Sequence, residues 1–258
     1  MRIRLHPHAV LVGLLELVPT SAAAQNTTFG TAVHVLVGQL PVRVTLPTGS
    51  ADRFYDAPVV ANRSYCAEAA ASETELNAAD PALVVFRADQ TTSLGPDIGG
   101  LEPKSQTAAR VCFIAPATET VFMKLSPASA SFENREYSLR FVETTLWGNW
   151  FFVGGDYSSF SLLRNTTNAA VTVDFRWFKD DGTNVANRLV QTIAANGVLF
   201  INARDAMTCA VPMVCPATAG SVQVAHSGSP EAIVGSQTTL SGSTGLSFDT
   251  IFFQRRRW

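Results

Sequence analysis

Histidine is scarce in this chain. Four occur in 258 residues, and two of them, His6 and His8, lie within the first 24 residues. His34 and His226 remain, so a Ser-His-Asp site would have to be built around one of these two. No G-x-S-x-G elbow presents a serine to either of them. An H-E-x-x-H zinc motif, a G-x-x-x-x-G-K-S/T phosphate loop and a G-x-G-x-x-G fingerprint are also missing. These gaps point away from an enzyme, and neither a cofactor nor a metal is expected. His34 alternates outward on a candidate strand, and His226 closes another just before Ser227-Gly228. Both positions read as surface or hairpin-end residues.

Positive charge is thin as well. Nineteen Lys and Arg stand against 21 Asp and Glu, a formal net charge of −2. The one basic cluster is Arg255-Arg256-Arg257, and three terminal charges do not make the stripe that nucleic acid requires. Apolar runs never reach membrane-spanning length, because charged or polar residues interrupt each one. Trp258 ends the chain as outer-membrane barrel strands end. Arg256 and Gln254, however, fall where such a strand needs apolar side chains toward lipid. No stable membrane insertion is expected. A hydrophobic share of 47% with 16% charged residues suits a folded globular protein.

What is present begins at the N-terminus. Arg2 and Arg4 form a positive region, Ala9–Val18 an apolar stretch, and Pro19–Ala24 a small-residue exit. This layout predicts a signal peptide over residues 1–24 and a mature chain starting at Gln25, secreted to an extracellular or periplasmic space. In such an oxidising compartment the four cysteines favour disulfides, with three pairings open. Cys66–Cys112 and Cys209–Cys215 are preferred, since each pair then lies within one predicted domain. A zinc site is disfavoured by the wide scatter of the four and by the lack of paired histidines.

Period-two alternation bounded by Gly, Pro, Asn and Asp recurs along the chain, which is the strand signal. Before residue 146 it marks 31–37, 42–46, 53–59, 64–69, 82–88, 109–114, 120–125 and 137–144. The Ala-rich stretch from Ala67 to Ala82 is the best place for a helical turn. Leu146–Gly155 breaks the rhythm and reads as a domain junction. A second series follows at 157–164, 171–179, 185–193, 197–202, 220–226, 232–240 and 246–253. Asn165–Asn168, Asp180–Gly182 and Asn196-Gly197 supply the turns between them. The pattern predicts an all-β protein of two β-sandwich domains in tandem. Residues 25–145 would be jelly-roll-like and residues 146–258 immunoglobulin-like, with Arg204–Ala219 as a stapled loop.

Three segments of the first half carry a family likeness: Asp52–Ala57, Ala61–Cys66 and Leu83–Asp89. With the run Ala109–Pro116 and the strands 120–125 and 137–141, they resemble bacterial pre-peptidase C-terminal (PPC-like) domains. The resemblance implies an extracellular, jelly-roll-like sandwich of the kind appended to exported enzymes. It also implies a non-catalytic role in secretion, targeting or adhesion. No peptidase fills the remainder of the chain. The second half looks like a bacterial surface sandwich, a likeness that brings no activity.

Chemistry that needs no histidine would rest on carboxylates. Asp156, Asp174, Asp180, Asp181 and Asp249 are the candidates in the second half, and solvated turn or strand-edge positions suit them better than an acid–base pair. Asp180, Asp181 and Asn184 lack the ligand spacing of a strong calcium loop. Aromatics give the clearer binding signal. Trp147, Trp150 and Phe151, with Phe152, cluster at the junction and offer flat faces to an extracellular polysaccharide or protein. The same residues could instead weld the two domains together. Trp177 falls in phase with Val171, Val173 and Phe175 and belongs to a core. The expected function is a secreted binding or adhesion protein. A self-associating matrix component and a histidine-independent hydrolase are the alternatives.

Overall fold

A computed structural model describes residues 26–46, 52–71, 81–96, 108–127, 135–185, 187–207 and 216–254. In the first half, alternation builds eight strands. These are β1 (Val33–His34), β2 (Val42–Leu46), β3 (Arg53–Val59), β4 (Ser64–Ala71), β5 (Pro81–Phe86), β6 (Ala108–Ile114), β7 (Glu119–Pro127) and β8 (Arg135–Glu143). They form two four-stranded sheets, sheet A in the order β1-β3-β7-β5 and sheet B in the order β2-β8-β4-β6. Every connection therefore crosses from one sheet to the other. Alternate residues pack between them: Val44, Leu46, Leu83, Val85, Val121, Met123 and Leu125 are all buried. Tyr65 stacks on Phe141 within this core at 5.5 Å.

The second half adds nine strands: β9 (Leu146–Val153), β10 (Tyr157–Asn165), β11 (Val171–Lys179), β12 (Leu189–Ile193), β13 (Val198–Asn202), β14 (Thr218–His226), β15 (Ile233–Ser241), β16 (Ser247–Ile251) and β17 (Phe253–Gln254). Sheet C runs β12-β11-β14-β9-β17 and sheet D runs β13-β10-β15-β16. Trp177 lies fully buried between them, stacked on Phe175. The core of each half draws only on that half's residues. The protein is thus an all-β sandwich fold, and no helix among the described residues is long and apolar enough to cross a membrane.

Several sequence expectations change at this level. Leu146–Val153 is a strand inside sheet C, paired with β14 and β17, because its alternation resumes on either side of a bulge. The stretch after Ala67 continues β4 to Ala71. Ala67 and Ala69 point into the core, while Glu68 on the outer face pairs with Arg110 and Arg140. The strand expected at 31–37 shrinks to two residues. Phe29–Thr31 instead forms a 3-10 turn, and Phe29 packs edge-on against Phe54, Phe86 and Phe122. Residues 246–253 divide between the sheets: β16 pairs with β15, and β17 crosses over to β9.

Cys66 and Cys112 sit directly opposite each other on β4 and β6 and are joined by a disulfide. The pairing expected for Cys209–Cys215 lies outside the described residues, as do the leader and the terminal Arg255–Trp258. The 204–219 excursion opens with a one-turn helix, α1 (Ala203–Ala206), whose first turn is capped by the Asn202 side chain.

Candidate functional site

The junction aromatics part company at a β-bulge. Val222 of β14 faces Gly148 and Gly220 faces Phe151, so Asn149 and Trp150 together oppose the single residue Ser221. Strict alternation would place Trp147 and Phe151 on one face of the strand. The extra residue inverts the phase beyond it, and Phe151 turns fully into the core. Phe151 is therefore removed from the expected ligand face. Trp147 keeps its outward position, and Trp150 is 37% exposed. Gly220 flanks the bulge on the partner strand and packs closely against β11 on its other side. A Cβ there would stand 1.8 Å from the Phe178 carbonyl oxygen, which no side chain tolerates.

Trp147 lies in a groove of about 490 Å³ whose lining includes Arg63, Asn149, Lys179, Ser221 and Gln223. A second depression of about 280 Å³ shares Trp147, Asn149 and Ser221 and ends at Phe253, the cross-strand partner of Trp147. Arg63 reaches over from the first half and sets its guanidinium 5.4 Å from the indole centroid. Glu143 holds that guanidinium in place at 3.3 Å. A cation over an indole face is attractive.

Below the groove the two halves are stitched together by Asn62. This residue has φ 65, a left-handed conformation that Asn tolerates better than most residues. Its backbone carbonyl accepts from Gln223 Nε2 at 2.6 Å and its Oδ1 accepts from Arg176 Nη2 at 2.7 Å. Arg176 and Arg188 in turn flank the fully buried Asp174 at 3.5 and 3.0 Å. One end of Trp147's groove is thus tied to the joint between the halves. Arg63 and Gln223 carried no signal in sequence, since about 160 residues separate them and neither belongs to a motif.

Trp150 has a different setting. It stacks on Phe152 at 6.2 Å and meets the edge of Phe248 at 6.1 Å, closing the open side between β9 and β16. Beyond Gly148 the edge of β9 away from β14 receives side chains of sheet D. Ser159 Oγ accepts from the Phe152 N–H and donates to its carbonyl, and Gln237 Nε2 donates to the Trp150 carbonyl. Side chains thereby occupy an edge that another strand could otherwise join.

The histidines lie away from the groove. His34 is exposed, with Nδ1 2.5 Å from Asp56 Oδ1, its hydrogen-bond partner among the described residues. His226, expected as a surface or hairpin-end residue, does end β14 but is fully buried. Burial holds its pKa down to about 4 against the opposing influence of backbone groups at Thr144 and Gly228. The reason is the register, which pairs His226 with Val173 and aims it between the sheets. The carboxylates are dispersed. Asp156 accepts from Ser241 and Ser243 and is held down to about 2 by them. Asp181 closes a turn onto Thr183, and Asp249 accepts from Thr238. Asp180 alone of the five reaches the groove.

No family model and no curated protein matches this chain. Among solved structures it resembles the full extracellular region of zebrafish Gpr126/Adgrg6 at 11% identity and a TM-score of 0.23. That match covers 87% of this chain and 31% of the other, and so low a score supports no inference about fold or role.

Proposed function

We propose that this protein is a secreted, non-catalytic binding module that takes an extracellular polysaccharide, or a protein segment, into the Trp147 groove. The carrying observation is the arrangement around that indole. A flat ring is clamped by Arg63 on an open trough, with the amide of Asn149 and the hydroxyl of Ser221 beside it. Aromatic surface supplies contact area, while the adjacent amide and hydroxyl fix orientation. On this reading residues 1–24 are a leader cleaved on export, and the two halves are tandem sandwich units. The PPC-like first unit braces the site through Arg63 and Asn62. The disulfide on β4 and β6 fits an oxidising compartment.

Tryptophan fluorescence and calorimetric titration of the mature protein with soluble cell-wall polysaccharides tests the proposal. Trp147→Ala should weaken binding about tenfold or more. Ser221→Trp, which fills the trough from a partly exposed position, should abolish binding with the fold intact by circular dichroism. Trp150→Ala should leave affinity within about twofold. Saturable binding that Ser221→Trp does not disturb would remove the ligand from this groove.

A further inference from the structure

The outer face of sheet D is the most apolar exposed surface among the described residues. Burial alternates along β10, so Ser159, Ser161 and Leu163 point inward while Phe160, Leu162 and Arg164 point out. The registers with β13, β15 and β16 then align outward rows. Phe200, Leu162, Ser236 and Ile251 form one row, and Val198, Arg164 and Val234 form the next. Ile251 is 75% exposed, Phe200 62% and Val198 60%. Phe160 and Phe200 stack at 5.4 Å, making a flat aromatic step on this face. The other outer faces differ. Phe29 covers the phenylalanines of sheet A, and sheet C presents Arg176 and Gln223 to Asn62.

Charge on this face is sparse and placed in a telling way. Of the outward strand positions, Arg164 and Asp249 alone are charged. Arg164 makes no ion pair with any described residue, and Asp249 holds only the Thr238 hydroxyl. Arg204, at the lower rim, is already committed to the Gly155 and Tyr157 carbonyls. Arg164 and Asp249 stand two strands and four residues apart, a diagonal of about 17 Å from the strand and residue spacings. Its midpoint falls at Ser236, a small residue.

We infer that this face packs against the same face of a second copy of the chain. A two-fold axis through Ser236, lying in the plane of contact, brings each Arg164 over Asp249 of the other copy. Both ion pairs form at once, and the apolar rows meet between them. Self-complementarity of this kind defines an isologous interface. A second copy is the partner that by construction supplies both opposite charges at this spacing. The strands of the two sheets would then cross steeply, near the orthogonal class of sheet packing. The face lies apart from the Trp147 groove, so dimerisation and ligand binding fail independently.

Sedimentation velocity of the mature protein over a wide concentration range tests this. A reversible dimer is expected. Arg164→Asp and Asp249→Arg should each raise its dissociation constant at least about tenfold, and the double reversal should restore it to within about threefold. Phe200→Glu should give a monomer with an unchanged circular dichroism spectrum. A wild-type monomer at every concentration would overturn the proposal. So would a dimer indifferent to Phe200→Glu, or single reversals that the double does not rescue.

Discussion

Protonating His226 should destabilise this protein at mildly acidic pH. The ring is fully buried beside Val173 in the second core, and burial lowers its pKa from 6.5 to about 4. The folded state therefore binds this proton less readily than the unfolded chain. The neutral imidazole's contribution is complete above pH 6.5 and is lost as the pH falls toward 4. A separation of this size corresponds to about 3 kcal/mol in all, most of which is gone by pH 4.5. Asp156, held down to about 2 by its serine donors, titrates below this window and does not contribute within it. Urea unfolding at half-unit steps from pH 7.5 to 4.5 reads the effect, with His226→Gln as the non-titrating reference. The wild type should lose about 2 to 3 kcal/mol relative to the variant across that range. Parallel pH profiles would refute the reasoning and mean that His226 binds its proton as readily in the folded protein as in the unfolded chain.

Three further outcomes are expected. Reducing Cys66–Cys112, which closes a sequence separation of 46, should lower stability by about 4 kcal/mol on a chain-entropy basis; calorimetry with and without reductant checks this. The Asn165 side chain is buried and its Nδ2 donates to the carbonyls of Ala169, Ile193 and Ala194. Asn165→Ala should therefore cost about 2 to 3 kcal/mol in urea denaturation. Asn165-Thr166-Thr167 is also an N-glycosylation acceptor sequon, and it should remain unmodified in folded protein from a glycosylating host, by intact mass. Phe29→Ala should uncover Phe54, Phe86 and Phe122, lowering stability by about 1 to 2 kcal/mol. A rise in binding of an apolar dye such as ANS reports that exposure, and unchanged dye binding would show that the turn does not cover them.

Most strands were legible because each needs only its own alternation. β2, β3 and β11 begin and end where the pattern predicts, and the phase of Trp177 with Val171, Val173 and Phe175 places it in the core. Leu146–Val153 was not legible, since the bulge that inverts it exists only in the pairing with β14, about 70 residues away. The three sequons at Asn26, Asn62 and Asn165 show the same limit. Asn26 bonds the Phe54 carbonyl, Asn62 ties two halves together, and Asn165 anchors a turn. Identical local motifs hide three different structural duties.

The sequence alone therefore determined an all-β chain and which side of most strands is apolar, because a two-residue period is a local property. Tertiary structure decided where that period slips, which histidine is sealed from water and which surfaces meet. The bond from Gln223 to Asn62 spans 161 residues. No neighbouring residue records such a contact; it exists only once four sheets have stacked and brought distant turns together.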